Sequence, residues 1–204
     1  MSRDIPLRTR VIARSLVHAS LGIAFAVALR TAPRVNVATA AAVLMGILLF
    51  GEFISFAQPP VRQWLRRRFD LLMRPEEDAR VTGATYFLIG ITTTITIFPP
   101  EISVLAVLFL AFGDPIAAAI GRWLGRTTPL SKNMVGHMAC LVVCLLVAAF
   151  GAMRWPSPGI GAGAIGALAA TVAQALPWRV NDNLTIPIGS AAFMFLAVQV
   201  FGSP

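Results

Sequence analysis

The sequence predicts an all-α, polytopic integral membrane protein with about seven transmembrane helices and one interfacial amphipathic helix. Hydrophobic residues make up 57% of the 204 residues and charged residues only 13%, roughly half the charged fraction of an average soluble domain. The apolar residues are gathered into seven segments that are long enough, or nearly so, to span a bilayer. Proline residues lie in most of the joins between these segments, and proline is a strong breaker of regular structure.

The seven segments are residues 11–29, 37–57, 81–98, 102–120, 134–153, 159–176 and 184–201. One connection, residues 58–80, is long, and Val61, Trp64, Leu65 and Phe69 recur in it at near-helical spacing with arginines between them. That pattern is typical of an amphipathic helix lying in the membrane interface. No internal repeat or second domain is evident, so residues 1–204 are predicted to form a single transmembrane domain.

The net charge of +8, from 17 basic and 9 acidic residues, is interpreted as a membrane feature rather than a nucleic-acid footprint. Cations of membrane proteins gather in cytoplasmic loops and near anionic head groups. If the N-terminus and the even-numbered loops share one side, that side holds all the basic residues except Arg30, Arg34 and Arg154. The positive-inside rule then predicts a cytoplasmic N-terminus and an external C-terminus. We expect a multi-pass protein of a bacterial-type inner or plasma membrane, with no nucleic-acid partner.

Residues 111–136 hold the densest set of candidate site residues. An apolar helix carries Asp114 after Gly113, two Gly-Arg pairs follow, and then comes the only lysine of the chain. The pairs and the lysine are Gly121-Arg122, Gly125-Arg126 and Lys132. Glycine lets backbone N–H groups approach phosphate oxygens, arginine and lysine neutralise phosphate charge, and a carboxylate binds Mg²⁺. The stretch therefore predicts a site for a metal-bound phosphate.

Two alternatives stay open for this stretch. Gly121 and Gly125 are four residues apart, which is the spacing of a helix-packing motif. Arg122 and Arg126 also suit ordinary anchors at the membrane surface.

Two ionisable residues within apolar helices are candidates for proton handling. His18, with Arg14 on the same face, lies near the predicted cytoplasmic end of the first helix, and Glu52 lies near that end of the second. Ionisable groups inside a membrane are costly, which favours a functional role. Glu52 is in a position to orient or activate His18, or either residue to accept a proton from a substrate hydroxyl. A buried structural ion pair is the alternative.

Asn181, Asp182 and Asn183 precede the seventh apolar segment. Asp182 with neighbouring amide oxygens suits Mg²⁺, whereas Asn and Asp at this place are also favoured helix caps. A helix N-terminus that points at phosphate is compatible with both roles. All the candidate site residues thus fall on the predicted cytoplasmic side, and their common placement favours a site facing the cytoplasm.

Six motifs occur in order along the chain. They are Arg14-Ser15-Leu16-Val17-His18 with Gly22, Gly51-Glu52-Phe53, Thr82-Gly83-Ala84-Thr85-Tyr86, Gly113-Asp114-Pro115-Ile116-Ala117-Ala118 with the two Gly-Arg pairs, Lys132 with Gly136, and Asn181-Asp182-Asn183-Leu184-Thr185-Ile186-Pro187. In type, order and spacing they resemble the motifs of the CTP-dependent lipid-alcohol kinases, which include dolichol kinase, phytol kinase and the CTP-dependent diacylglycerol kinase. The likeness covers nearly the whole chain.

Three positions depart from the family pattern. Ser15 stands where the family has lysine, Val135 where a glutamate is usual, and Asn181 where the first of two adjacent aspartates is usual. A metal site built on two adjacent acids is therefore not expected, and Asp114 and Asp182 are the acids left for a metal.

The resemblance implies that this domain is catalytic and transfers the γ-phosphate of CTP to the hydroxyl of a membrane lipid alcohol at the cytoplasmic face. The lipid would be a polyprenol or dolichol, phytol or diacylglycerol. Mg²⁺ is expected at Asp114 and Asp182, and His18, Glu52 and Asp114 are the expected catalytic residues. The expected nucleotide- and phosphate-binding residues are Arg14, Gly113, Gly121, Arg122, Gly125, Arg126, Lys132, Gly136 and Asn183.

Two other functions remain as alternatives. A phospholipid cytidylyltransferase would use the same CTP site but release pyrophosphate. A non-catalytic lipid transporter or scaffold would need polar residues in mid-membrane or at both faces. The sequence indicates no particular oligomeric state.

Overall fold

The computed structural model describes residues 7–69, 81–124, 132–155, 157–176 and 180–202, and these ranges form a helical bundle. The helices are α1 Leu7–Thr31, α2 Arg34–Ala57, α3 Pro59–Phe69, α4 Gly83–Ile97, α5 Pro100–Leu108, α6 Asp114–Leu124, α7 Lys132–Arg154, α8 Gly159–Ala175 and α9 Asp182–Phe201. A π-helical turn, Phe109–Gly113, joins α5 directly to α6. Each of the seven predicted segments corresponds to one apolar helix, with ends that differ by at most four residues.

Five of the described helices are long and apolar enough to cross a membrane: α1, α2, the continuous α5–α6 helix, α7 and α9. Two apolar helices are shorter, α4 with 15 residues and α8 with 17. At 1.5 Å per residue these two span about 22–26 Å, somewhat less than a hydrocarbon core of about 30 Å. The predicted all-α polytopic membrane fold is confirmed.

The amphipathic helix predicted over residues 58–80 is represented by α3, which ends at Phe69 in the described part of the chain. Residues 70–80 lie outside the described residues. Along α3, Val61 and Leu65 are partly buried, whereas Trp64 is 61% exposed. Cations and an exposed aromatic ring on one short helix fit a position in the membrane interface.

The α5–α6 helix is the centre of the bundle. In its most apolar stretch 56% of the residues are buried, compared with 17% in α1 and 11% in α2. Leu105, Phe109 and Leu110 are almost completely buried within it. The π turn exposes a carbonyl group to side chains, and the Cys144 thiol of α7 lies 4.0 Å from the Phe109 carbonyl oxygen. The core thus encloses the segment that leads to Asp114.

One end of the bundle is fixed by contacts between helix termini. The Arg34 guanidinium donates to the carbonyl oxygen of Ile95 at 2.6 Å and to that of Thr96. The Ser103 hydroxyl donates to the carbonyl oxygens of Thr94 and Phe98. The start of α2, the C-terminus of α4 and the start of α5 therefore meet at this end. Helix α1 ends at Thr31, three residues before Arg34, so α1 also ends here and runs antiparallel to α5–α6.

At the opposite end lie Glu52, Thr82, Asp114 and Asn183, and we call it the polar end. Helices α4 and α9 approach closely there, since a Cβ atom added at Gly90 would lie 2.4 Å from the Asn183 carbonyl oxygen. The Asn183 carbonyl lacks its usual intrahelical hydrogen bond, because the residue four positions later, Pro187, has no backbone N–H. Helix α9 nevertheless continues through Pro187 to Phe201. Because Gly90 has no side chain, α4 packs directly against the part of α9 in which this backbone hydrogen bond is missing.

Candidate active site

Asp114 is the first residue of α6, immediately after the π turn. Its carboxylate is partly buried, and its Oδ1 accepts a hydrogen bond from Nε2 of Gln174 on α8 at 3.3 Å. Leu124, the last residue of α6, lies ten residues further on, which is about 15 Å along the helix axis. The acid therefore lies within the bundle rather than at its surface.

His18 lies at the same depth as Asp114. Helix α1 touches the π turn at Gly22, where an added Cβ atom would lie 2.5 Å from the Ala111 Cβ. From this contact His18 is four residues toward the polar end, and Asp114 is three residues toward it on the antiparallel helix, so both lie about 5–6 Å beyond the contact. The His18 ring stacks on Phe87 of α4 with centroids 4.7 Å apart and planes 7° from parallel.

Glu52 binds the start of α4. Its Oε1 accepts the Thr82 backbone N–H at 2.7 Å and the Thr85 hydroxyl at 2.8 Å. A carboxylate at a helix N-terminus satisfies free N–H groups and complements the helix dipole. The second oxygen, Oε2, is buried without a hydrogen-bond partner among the described residues. Glu52 therefore holds the start of α4, the helix whose Phe87 stacks on the His18 ring. The direct pairing of Glu52 with His18 stays a prediction.

The first turn of α9 is tied to α4. The Asn181 side chain caps α9 by accepting the Asn183 N–H at 3.0 Å. The Asn183 side chain is buried and donates through Nδ2 to the Gly83 carbonyl oxygen at 2.8 Å. The capping alternative is therefore correct for Asn181, and Asp182 follows as the acid of the first turn. The amide nitrogen of Asn183 is already engaged by α4. The phosphate-binding role of Asn183 stays a prediction.

Asp114 contacts α8 through Gln174, and Asp182 begins α9, which follows α8 in the chain and packs against it. Both acids therefore lie toward the C-terminal end of α8. Two further oxygens there are buried without hydrogen-bond partners among the described residues, Oε1 of Gln174 and Oγ1 of Thr185. Thr185 is three residues after Asp182 and therefore shares its helix face. The two predicted metal acids are accompanied by neutral oxygen atoms.

These oxygens fit a magnesium ion. In the part of the chain that the structure describes, no cluster of three or more His, Cys, Asp or Glu side chains is placed to hold a metal. Mg²⁺ in nucleotide sites needs no such cluster, because it is bound through one or two carboxylates, substrate phosphates and waters. Asp114 and Asp182 with uncharged oxygens beside them are the donor set that this ion prefers.

Two of the predicted phosphate-binding glycines are close-packing positions. A Cβ atom on Gly113 would lie 2.9 Å from the Cys144 sulfur and 3.1 Å from the Cys140 sulfur. On Gly136 it would lie 3.0 Å from the Ala117 carbonyl oxygen and 3.7 Å from the Gly121 Cα. The helix-packing interpretation of Gly121 is therefore supported by its contact with α7. The phosphate roles of these glycines stay predictions.

Within the polar end, Arg14 and Arg122 lie nearer the helix ends than His18 and Asp114 do. Arg122 is exposed in the last turn of α6, eight residues beyond Asp114, which is about 12 Å along the helix. Arg14 is partly buried one turn beyond His18, and α7 begins at Lys132. Gly125 and Arg126 lie outside the described residues. Asp114 and His18 therefore lie deeper in the bundle than the described arginines.

Sequence reasoning missed three polar residues of this region. Gln174 contacts Asp114, Thr85 contacts Glu52, and the Nδ1 atom of His137 is buried without a hydrogen-bond partner among the described residues. Gln174 had a usable signal, since it is an amide in the last turn of an otherwise apolar helix. His137 follows directly after Gly136, within the stretch that carries the motif.

Comparison with known proteins finds curated relatives. CTP-dependent diacylglycerol kinase 1 of Schizosaccharomyces pombe is 31% identical over 164 residues, covering 72% of this chain and 74% of that protein. CTP-dependent diacylglycerol kinase 1 of Saccharomyces cerevisiae is 24% identical over 180 residues, covering 76% and 62%. An uncharacterized protein of Rickettsia prowazekii is 25% identical over 163 residues, covering 76% and 79%. No family model matches the chain, and no solved structure is significantly similar to it.

Proposed function

The chain belongs to the family of CTP-dependent lipid-alcohol kinases, and from this premise we propose that it transfers the γ-phosphate of CTP to the hydroxyl of a membrane lipid alcohol. One observation carries the proposal: Asp114 and His18 lie at about equal depth inside the bundle, and Arg14 and Arg122 lie nearer the helix ends at the same end of the bundle. Phosphoryl transfer requires neutralised phosphates and a positioned hydroxyl. The polar end supplies groups for both requirements.

Diacylglycerol is the alcohol that we propose first, because the named relatives are diacylglycerol kinases. Polyprenol or dolichol and phytol are the other candidates. The lipid would enter sideways from the bilayer, between α1 and α2. Beside the proton-handling residues these helices present Leu16, 62% exposed, and Phe53, 70% exposed. Such a surface accepts acyl or prenyl chains and keeps the hydroxyl at the level of His18.

The nucleotide phosphates would be held at the polar end by Arg14, Arg122, Arg126 and Lys132. Magnesium bound at Asp114 and Asp182 would supply charge neutralisation of the transferring phosphoryl group. Gln174 holds Asp114 in place through its hydrogen bond. Asp114, Asp182 and Gln174 are partly buried, so the lipid hydroxyl would compete with less water for the phosphate than at an open surface.

His18 would accept the proton of the lipid hydroxyl as it attacks. Stacking on Phe87 fixes the plane of its ring. Glu52 acts through α4: it binds Thr82 and Thr85, and thereby fixes the helix on which Phe87 is carried. In this proposal His18 is the catalytic residue of the pair and Glu52 is a positioning residue.

The first experiment measures label transfer from nucleotide to lipid by purified protein in detergent with Mg²⁺. γ-Labelled CTP and γ-labelled ATP are compared with diacylglycerol, phytol and a polyprenol as acceptors. Asp114→Asn should abolish transfer, whereas the matched variant Glu101→Gln should retain it. Glu101 is an acid in the first turn of α5, at the other end of the same continuous helix.

The products separate the proposal from its alternatives. Labelled phospholipid together with CDP supports the kinase, and a CDP-lipid with pyrophosphate supports a cytidylyltransferase. Absence of turnover with every acceptor would contradict both and leave a non-catalytic transporter or scaffold. We further propose that the polar end faces the cytoplasm. Inverted membrane vesicles should then phosphorylate lipid from external CTP, and right-side-out vesicles should not.

A further inference from the structure

Gln174 makes one contact that its apolar helix does not require. It lies in the last turn of α8, and its Nε2 donates to Oδ1 of Asp114 at 3.3 Å. The oxygen of the same amide, Oε1, is buried and has no hydrogen-bond partner among the described residues. Because both atoms belong to one planar amide, Oε1 also lies beside the Asp114 carboxylate.

A buried amide oxygen without a partner is unfavourable, and native proteins rarely keep one without a reason. An amide has two ends of opposite character: its NH₂ group donates to an anion, and its oxygen binds a donor or a cation. At position 174 the donor end is engaged by an acid. The oxygen end is therefore left for a positively charged or hydrogen-bond-donating ligand that the protein itself does not supply.

The surroundings favour a cation over a neutral donor. Asp114 is next to the amide, and Asp182 begins α9, which packs against the helix that carries Gln174. Thr185, on the Asp182 face of α9, contributes a second buried oxygen without a partner. Two acids and two uncharged oxygens form an environment of negative potential whose atoms are the hard donors that divalent cations prefer.

We propose that Gln174 is a ligand of the divalent cation held by Asp114, which it binds through Oε1 while its Nε2 fixes the carboxylate. This inference rests on the proposed function, because it concerns the same site. It explains why an amide stands at position 174. A carboxylate there would donate no hydrogen bond to Asp114 and would repel it, and an apolar residue would provide no oxygen.

The test measures binding of Mn²⁺ alone to purified protein in detergent, by the electron paramagnetic resonance signal of the free ion. Gln174→Leu should weaken Mn²⁺ binding by at least about 10- to 100-fold, because it removes the proposed oxygen ligand together with the donor that fixes Asp114, and loss of an outer partner alone has an effect of that size. Gln199→Leu is the matched control, because Gln199 is an exposed glutamine near the opposite end of α9. It should bind Mn²⁺ like the unmodified protein.

A second variant keeps the test decisive if Gln174→Leu does not fold, and it separates a ligand from a residue that only braces Asp114. Gln174→Met keeps the length of the side chain but replaces the amide oxygen with a thioether sulfur, which is a softer donor. If the side chain at position 174 contacts the ion, the preference for Cd²⁺ over Mn²⁺, measured by competition against the Mn²⁺ signal, should be larger in this variant than in the unmodified protein. If the residue only braces Asp114, the variant will weaken binding of both ions by the same factor, and the inference is overturned.

These measurements need no turnover, so they separate this inference from the proposed function. A raised preference for Cd²⁺ in Gln174→Met supports the ligand even if no lipid is phosphorylated, in which case only the kinase proposal fails. Unchanged Mn²⁺ binding in an otherwise active kinase overturns the ligand and leaves the proposed function standing.

Discussion

Replacing Gly113 with alanine should destabilise the bundle through a steric clash with α7. The added Cβ would lie 2.9 Å from the Cys144 sulfur and 3.1 Å from the Cys140 sulfur, whereas favourable contacts between heavy atoms begin near 3.5 Å. Overpacking of a core typically costs about 1–3 kcal/mol. Both obstacles are terminal atoms of short side chains that can shift slightly, so we expect about 1–2 kcal/mol. In a chain of this size that lowers the melting temperature by about 2–8 °C.

A double-mutant cycle with Cys144→Ala tests the cause. The second substitution removes the nearer sulfur, so Gly113→Ala should cost about 1 kcal/mol less in that background than in the unmodified protein. Unfolding is followed in detergent by the fluorescence of the four tryptophans, and transfer of label from CTP to lipid is measured on the same samples. If packing is the role of Gly113, activity should return with stability in the double variant.

Two results would refute this reasoning. An unchanged melting temperature in Gly113→Ala would show that α7 accommodates the methyl group without cost. A double variant that is stable again but remains inactive would show that phosphate approach, and not packing, requires the glycine. Gly161→Ala is the control, because nothing lies within 4 Å of its added Cβ. It should be neutral or stabilising by up to about 1 kcal/mol, the usual difference between glycine and alanine in a helix.

Three further predictions concern residues around the site and at the opposite end. His18→Asn should lower kcat about 10²- to 10⁴-fold, as expected for loss of a general base, while circular dichroism stays unchanged; a smaller loss would remove His18 from the chemistry. Glu52→Gln should lower the free energy of unfolding by about 1–2 kcal/mol, because charge-assisted hydrogen bonds to Thr82 and Thr85 become neutral ones, and it should reduce kcat less than His18→Asn does. An equal or greater loss of kcat would make Glu52 the base. Arg34→Gln should lower the melting temperature but leave KM for CTP unchanged, since its contacts are at the end opposite the site. A raised KM would mean that the two ends are coupled.

The helices were predictable because each is an apolar segment bounded by residues that stop or cap a helix. The join before α5 has two adjacent prolines, and Thr82 and Asn181 cap α4 and α9 through their side chains. The placement of Glu52 and Asn183 at one end of the bundle was predictable for a related reason. Because burying a charge in the membrane is costly, ionisable residues occur in membrane helices mainly where function requires them.

The contacts of those residues were not predictable from the chain alone. Glu52 binds Thr85, 33 residues away, and Gln174 binds Asp114, 60 residues away. The periodicity of the sequence does not encode contacts between residues so far apart in the chain, because these contacts depend on which helices become neighbours. The glycine pattern was ambiguous for the same reason. Gly136 contacts α6 through Ala117, and only the packing of α6 on α7 distinguishes a helix contact from a phosphate cradle.

The π turn determines the direction in which the Asp114 side chain leaves the helix. It holds one residue more than an α-helical turn would, and each residue advances the direction of a side chain by about 100° around the helix axis. If the same five residues, Phe109–Gly113, wound as a plain α-helix, Asp114 would be turned by most of that angle and would face away from Gln174. The wide turn absorbs the extra residue and thereby sets the direction of the acid. A substitution that favours ordinary α-helical winding of this segment should therefore move Asp114 without altering it.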